Sequence, residues 1–252
     1  MPRTARLRSV SGVYHVMTRG INKQDIFLDK DDRFRYLKTL ASVKEKTGIR
    51  VYAYCLMSNH VHLLLSEGQE KVGDVMKRMG SSYALWYNHK YERLGYLFQD
   101  RFRSEPVEMQ ADLMAVVRYI HQNPVVAGLA SDCSHYVWSS FLAYASGKEH
   151  EPGLTDTAHV LDVFSGMDQF ITSHRKPCER PFVEANYQSR ATPRQILAVA
   201  NRILRDRPLE SLKTMGAEDR NRFLRELKAV PGTSYAQIAS LVGLSKKMVE
   251  RA

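Results

Sequence analysis

The 252-residue sequence predicts an α+β fold: a ferredoxin-like split βαβ sandwich followed by an all-helical C-terminal region. Three observations carry this expectation. Strand-like alternation and helical apolar spacing follow one another in the order β-α-β-β-α-β, and one more helix comes after them. Periodicity then weakens between residues 146 and 191, where Pro, Gly, His and charged residues accumulate. From Thr192-Pro193 onward only helical spacing remains. The division expected is therefore an α+β domain over 1–145, a connecting region over 146–191 and a helical domain over 192–252.

Val13 to Arg19 runs Val-Tyr-His-Val-Met-Thr-Arg, which reads as a strand, and Gly20 closes it. Asp31 to Lys46 places Phe34, Leu37, Leu40, Ala41 and Val43 at helical spacing, with acidic residues at the start and Gly48 at the stop. Val51–Met57 and Val61–Leu65 are apolar runs separated by Ser58-Asn59, which predicts a hairpin. Val72 to about Tyr91 is helical through Val75, Met79, Tyr83 and Trp86. Arg103–Glu108 is expected as a strand, and Ala111–Asn123 as a helix stopped by Pro124. The connecting region is expected to hold one short helix around Val160–Phe164. Near the C-terminus, Ser234–Leu241, a turn at Gly243 and Lys246–Arg251 behind Ser245 resemble a helix-turn-helix. A plain helical bundle is the alternative for that region.

Charge narrows the partners. Lys and Arg total 37 against 27 Asp and Glu, a formal +10, which favours a polyanion through phosphate neutralisation. No window approaches the roughly 20 apolar residues of a membrane span. The basic start has no apolar core behind it and does not read as a signal peptide. Cys55, Cys133 and Cys178 are scattered, so no disulfide framework is expected, as suits a reducing cytoplasm.

Two local patterns point to chemistry. In Asn59-His60-Val61-His62-Leu63-Leu64-Leu65, strand alternation puts His60 and His62 on one face and the apolar Val61, Leu63 and Leu65 on the other. Paired imidazoles suit a divalent metal, although hydrogen-bonded core histidines give the same pattern. In Val116 to Pro124, Tyr119 and Asn123 share a helix face. A tyrosine beside a cation can attack a phosphodiester, and Asn123 could offer its carbonyl oxygen as a further ligand. A helical tyrosine can equally be a packing residue. His121 lies on another side of the helix and is the weaker candidate.

Taken together, these segments resemble a known family. Thr18-Arg19-Gly20-Ile21-Asn22, Met57-Ser58-Asn59-His60-Val61-His62-Leu63-Leu64, Gly95-Tyr96-Leu97-Phe98-Gln99-Asp100-Arg101-Phe102 and Tyr119-Ile120-His121-Gln122-Asn123-Pro124-Val125 are similar to motifs of the REP-associated tyrosine transposases. These belong to the single-tyrosine HUH transposases. The resemblance spans about residues 10 to 145. It implies an HUH nuclease core that binds a single-stranded hairpin of a repetitive extragenic palindrome, then cleaves and rejoins DNA through a 5′-phosphotyrosine bond. It also implies Tyr119 as nucleophile, His60 and His62 as ligands of Mg²⁺ or Mn²⁺, and Asn123 as the amide-bearing third ligand. Ser58 departs from the proline common at that position, and the C-terminal helices lie outside the minimal catalytic domain. Arg19, Asn22, Arg101, Arg103, Arg3 and Arg6 are the expected DNA contacts there. Lys246 and Lys247 are the expected contacts to duplex DNA from the C-terminal helices. Monomer and homodimer are both compatible with the sequence. The competing readings are a non-catalytic DNA-binding regulator, a replication initiator or relaxase, and a zinc hydrolase. The last lacks a Glu or Cys at a recognisable ligand spacing.

Overall fold

The computed structural model describes residues 7–178, 193–204, 208–230 and 233–252. The chain divides into two compact units, Met1–Glu184 and Ala185–Ala252. Among the described residues no helix is long and apolar enough to cross a membrane.

In the first unit the strands are β1 (Val13–Arg19), β2 (Arg50–Leu56), β3 (His60–Ser66) and β4 (Arg103–Pro106). The helices are α1 (Lys30–Thr47), α2 (Val72–Lys90) and α3 (Gln110–Val126), then α4 (Phe141–Ser146), α5 (Thr157–Val163) and α6 (Met167–His174). The strands form one antiparallel sheet in the order β2-β3-β1-β4, the split βαβ topology that the sequence predicts.

Each face of the sheet has its own core. Val16, Val61, Leu63 and Leu65 pack with Leu37 and Leu40 of α1 and Val75, Met79 and Tyr83 of α2. Ala53, Cys55 and Leu64 face Leu113, Val116, Val117 and Ile120 of α3. A register shift between Val51 and Ala53 inserts Tyr52 as a bulge, so Tyr52 and Ala53 both join the α3 side. α1 starts on a capping box, in which Asp29 accepts from the Asp32 backbone and Asp32 returns the bond. Asp32 is fully buried, and Lys90 reaches its carboxylate at 2.7 Å.

Two local expectations change. α3 does not stop at Asn123: Pro124 lies inside the helix, which runs on to Val126. Proline cannot donate to the carbonyl one turn earlier. Yet Pro124 is buried, and the Ala127 and Leu129 amides donate to the Asn123 and Pro124 carbonyls and complete the last turn. Between 146 and 178, where one short helix was expected, the chain forms both α5 and α6. Val160, Phe164 and Phe170 enter the core beneath α3. The helix expected around Val160–Phe164 corresponds to α5, whereas α6 is too short for its apolar spacing to stand out in the sequence.

The second unit consists of α7 (Pro193–Leu204), α8 (Ala217–Lys228), α9 (Tyr235–Val242) and α10 (Lys246–Arg251) around Ala200, Phe223, Leu224, Leu227 and Ile238. Ser234 and Gln237 form a capping box at the start of α9. Gly243, left-handed at φ 66°, ends α9, and the Ser245 side chain caps α10.

Candidate active site

The sheet face beneath α3 carries the polar cluster. Antiparallel register sets Arg19 across from His60 and Met17 across from His62. On the other side of β1, Arg103 stands across from Met17 and Glu105 across from His15. Residues directly opposite in a ladder share a face. Thus His15, Arg19, His60, His62, Arg103 and Glu105 emerge on the α3 side. His60 and His62 have ring centroids 5.0 Å apart at an interplanar angle of 86°. His62 Nδ1 lies 3.1 Å from His15 Nε2, and the two rings stack at 5.3 Å.

α3 brings Tyr119 onto this cluster. Its ring centroid is 5.5 Å from that of His62 and 5.7 Å from that of His15, edge-on to both. The structure therefore assembles three of the expected residues, His60, His62 and Tyr119, from positions far apart in the chain. Asn123 is buried one turn beyond Tyr119, and its Nδ2 donates to the Tyr119 carbonyl at 2.9 Å. The amide oxygen is thus the donor atom Asn123 can offer a cation. Among the described residues no group of three or more His, Cys, Asp or Glu is placed to hold a metal. A cation here would depend on the two imidazoles, the Asn123 oxygen and oxygens of the substrate. That mixed set suits Mn²⁺, or Mg²⁺ where phosphate oxygens predominate.

The residues flanking Tyr119 fix how α3 sits. Arg118 donates to the Lys176 and Pro177 carbonyls at 2.7 and 3.0 Å. Gln122 donates to the His174 and Lys176 carbonyls, both at 2.7 Å, and accepts from the Cys178 amide. His121, which also lies beside Tyr119 in sequence, points away from the site into the core. Its bonds have a definite direction. The Tyr54 amide donates to Ser140 Oγ at 2.9 Å, and Ser140 Oγ lies 2.8 Å from His121 Nε2. His121 Nδ1 lies 3.0 Å from His174 Nε2, and His174 Nδ1 donates to the Phe170 carbonyl at 2.7 Å. The carbonyl can only accept, so His174 carries its proton on Nδ1, and His121 must then donate to His174 Nε2. Both rings are neutral: burial drives the pKa of His121 well below its usual value and that of His174 to about 4.

The expected DNA contacts occupy varied positions. Arg19 is half-buried at the end of β1, beside His60. Asn22 is exposed in a turn that holds it at φ 52°. Arg101 and Arg103 are exposed, and the Arg101 amide donates to the Asp100 side chain. Lys246 and Lys247 are exposed on α10 of the second unit. Arg3 and Arg6 lie outside the described residues. Sequence reasoning missed His15, whose only signal was its strand parity with Arg19, and Asn59, which was read as a turn residue.

Residues 9–123 match the family model described as transposase, IS200-like. Over that stretch the chain is similar to IS200-like transposases. The similarity supports an enzyme acting on DNA. Two similar solved structures are described as transposases. One, a REP-associated tyrosine transposase bound to a REP hairpin, has a TM-score of 0.49 at 20% identity and covers 63% of this chain and 96% of its own. The other, from Deinococcus radiodurans R1, has a TM-score of 0.34 at 17% identity and covers 50% of this chain and 97% of its own. No curated protein matches the chain.

Proposed function

We propose that the first unit is a transposase of this kind: a metal-dependent, single-strand DNA endonuclease and strand transferase acting on REP-like hairpins, with Tyr119 as nucleophile. The observation that carries the reading is the Tyr119 ring lying 5.5 Å from His62, which itself pairs with His60 at 5.0 Å. A phenol at a cation-binding pair of imidazoles is equipped to attack phosphorus, and a buried core histidine pair would need no such neighbour. The motif resemblance over residues 18–22, 57–64, 95–102 and 119–125 supplies the substrate class.

When bound, a divalent cation would polarise the scissile phosphate and lower the cost of charge on its oxygens. His60, His62 and Asn123 would hold it. Tyr119 Oη forms a bond to phosphorus as the bond from phosphorus to the 3′-oxygen breaks. The phenolic proton is lost and the departing 3′-oxygen gains one, both by exchange with solvent. The 5′-phosphotyrosine conserves the phosphodiester, so a second 3′-hydroxyl can attack it, rejoin the strands and restore the phenol without ATP. Arg19, Asn22, Arg101 and Arg103 would contact the strand, with Arg3 and Arg6 assigned by sequence alone. In the second unit, α9, the Gly243 turn and α10 with exposed Lys246 and Lys247 have the form of a duplex-binding helix-turn-helix.

The test incubates labelled single-stranded hairpins from repeats beside the gene with Mg²⁺ or Mn²⁺, comparing the wild type with Tyr119→Phe on a denaturing protein gel. A covalent protein–DNA band that needs both metal and Tyr119 is expected. Tight binding with no band across several hairpins would favour a DNA-binding regulator instead, and a band that survives full chelation would remove the metal.

A further inference from the structure

The paired histidines can hold a cation only if each presents a ring nitrogen that carries no proton, and a neutral imidazole has one such nitrogen. We propose that Asn59 and His15 are positioning residues that lock His60 and His62 in the tautomer protonated on Nδ1, so that both direct Nε2 to the cation. This inference rests on the metal reading above.

For His60 the argument follows from bond direction. Asn59 Nδ2 donates to the Lys23 carbonyl at 3.1 Å, which fixes which end of its amide is which. The other end, Oδ1, lies 2.6 Å from His60 Nδ1 and can only accept. His60 therefore carries its proton on Nδ1, and Nε2 is the ligating nitrogen. The Lys23 carbonyl that anchors the amide belongs to the left-handed turn after β1, where Asn22 and Lys23 have φ of 52° and 61°. The turn of the Thr18–Asn22 motif thus reaches the metal ligand through one side chain.

For His62 the partner is His15, which is fully buried. Their contact at 3.1 Å occupies His62 Nδ1, which leaves Nε2 as the only ring nitrogen able to ligate. The bond can run either way. If His15 donates, the His62 proton sits on Nε2 and the ligand is blocked. If His62 donates, Nε2 carries a lone pair. His15 lies two residues diagonally across the β1–β3 ladder from His62, with Glu105 opposite His15 in the β1–β4 register. With its carboxylate turned to the far nitrogen of His15, Glu105 would favour a proton there, which makes His15 Nε2 the acceptor. The arrangement matches the general habit of ligand histidines, whose second nitrogen donates to an outer partner that sets tautomer and ring orientation.

The experiment uses the full chain with ¹⁵N-labelled histidine, first without metal. Nitrogen chemical shifts separate protonated from unprotonated ring nitrogens and require no variant. Expected are His60 and His62 both protonated on Nδ1. Mn²⁺ binding is then followed by electron paramagnetic resonance in the absence of DNA. His15→Leu and Asn59→Ala should weaken it by about 10- to 100-fold, the usual loss on removing an outer partner. His15→Gln and Asn59→Asp, which keep an oxygen acceptor, should restore most of it. A metal-free His62 protonated on Nε2 would overturn the proposal while leaving the phosphotyrosine mechanism intact. So would wild-type Mn²⁺ affinity in folded His15→Leu and Asn59→Ala. A wild type that binds no Mn²⁺ would overturn it together with the metal reading.

Discussion

Acid should loosen the helix that carries the nucleophile, and His174 allows the effect to be sized. Burial lowers its pKa from 6.5 to about 4. Because the folded value is depressed, the unfolded chain takes up the proton first. The stability is therefore complete above about pH 6.5 and is lost as pH falls toward 4. At 1.36 kcal/mol per pH unit, the gap is worth about 3 kcal/mol in full, of which about 2 kcal/mol is lost by pH 5. A proton on His174 Nε2 would also set N–H against the N–H of His121 and break the 3.0 Å bond between them. The assay is urea unfolding at pH 7.5 and pH 5, followed by tryptophan fluorescence. Trp86 and Trp138 are the only tryptophans and both lie in the first unit, so the signal reports that unit alone. The comparison is His174→Phe, which keeps a ring against Phe164 and Phe170 but loses the bonds to His121 and the Phe170 carbonyl. At pH 7.5 the variant should be about 2–4 kcal/mol less stable, since it leaves a buried donor unsatisfied. At pH 5 that deficit should shrink by about 2 kcal/mol, because only the wild type pays for the histidine proton. A deficit equal at both pH values would refute the reasoning.

Three further predictions concern other parts of the unit. Gly20→Ala would set a Cβ 2.2 Å from the Gln24 carbonyl oxygen and 2.9 Å from Ile26 Cγ2. It should cost about 1–3 kcal/mol in thermal unfolding and depress adduct formation further, since the turn also carries Arg19 and Asn22; a wild-type melting temperature would contradict this. Asp32→Ala strips Lys90, Tyr91 and the Leu28 amide of their shared buried acceptor. About 3 kcal/mol should be lost in urea, and a change below 1 kcal/mol would show that the carboxylate matters little. Arg101→Ala should weaken hairpin binding and reduce the slope of log affinity against log salt by about 1; an unchanged slope would remove Arg101 from the contacts.

Much of this molecule was legible in the sequence because local physics wrote it there. A β-forming run and the glycine after Arg19 set β1, and helical spacing with terminal acidic residues set α1. The His60–His62 parity and the Tyr119–Asn123 spacing follow from strand and helix geometry, so the candidate site could be named residue by residue. The path of the chain around Pro124 was less legible, because burial of that residue outweighs its local preference to end a helix. His121 shows the same limit. Its place beside Tyr119 says nothing of a bond to Ser140 and His174, which come from other elements. Ladder register decided the rest. It sets His15 diagonal to His62 and Arg19 across from His60, and α3 then lowers Tyr119 onto them. The sequence alone determined which side chains share a face of their own element. Only tertiary pairing decided which faces meet, because register and helix docking depend on packing between segments that no local pattern encodes.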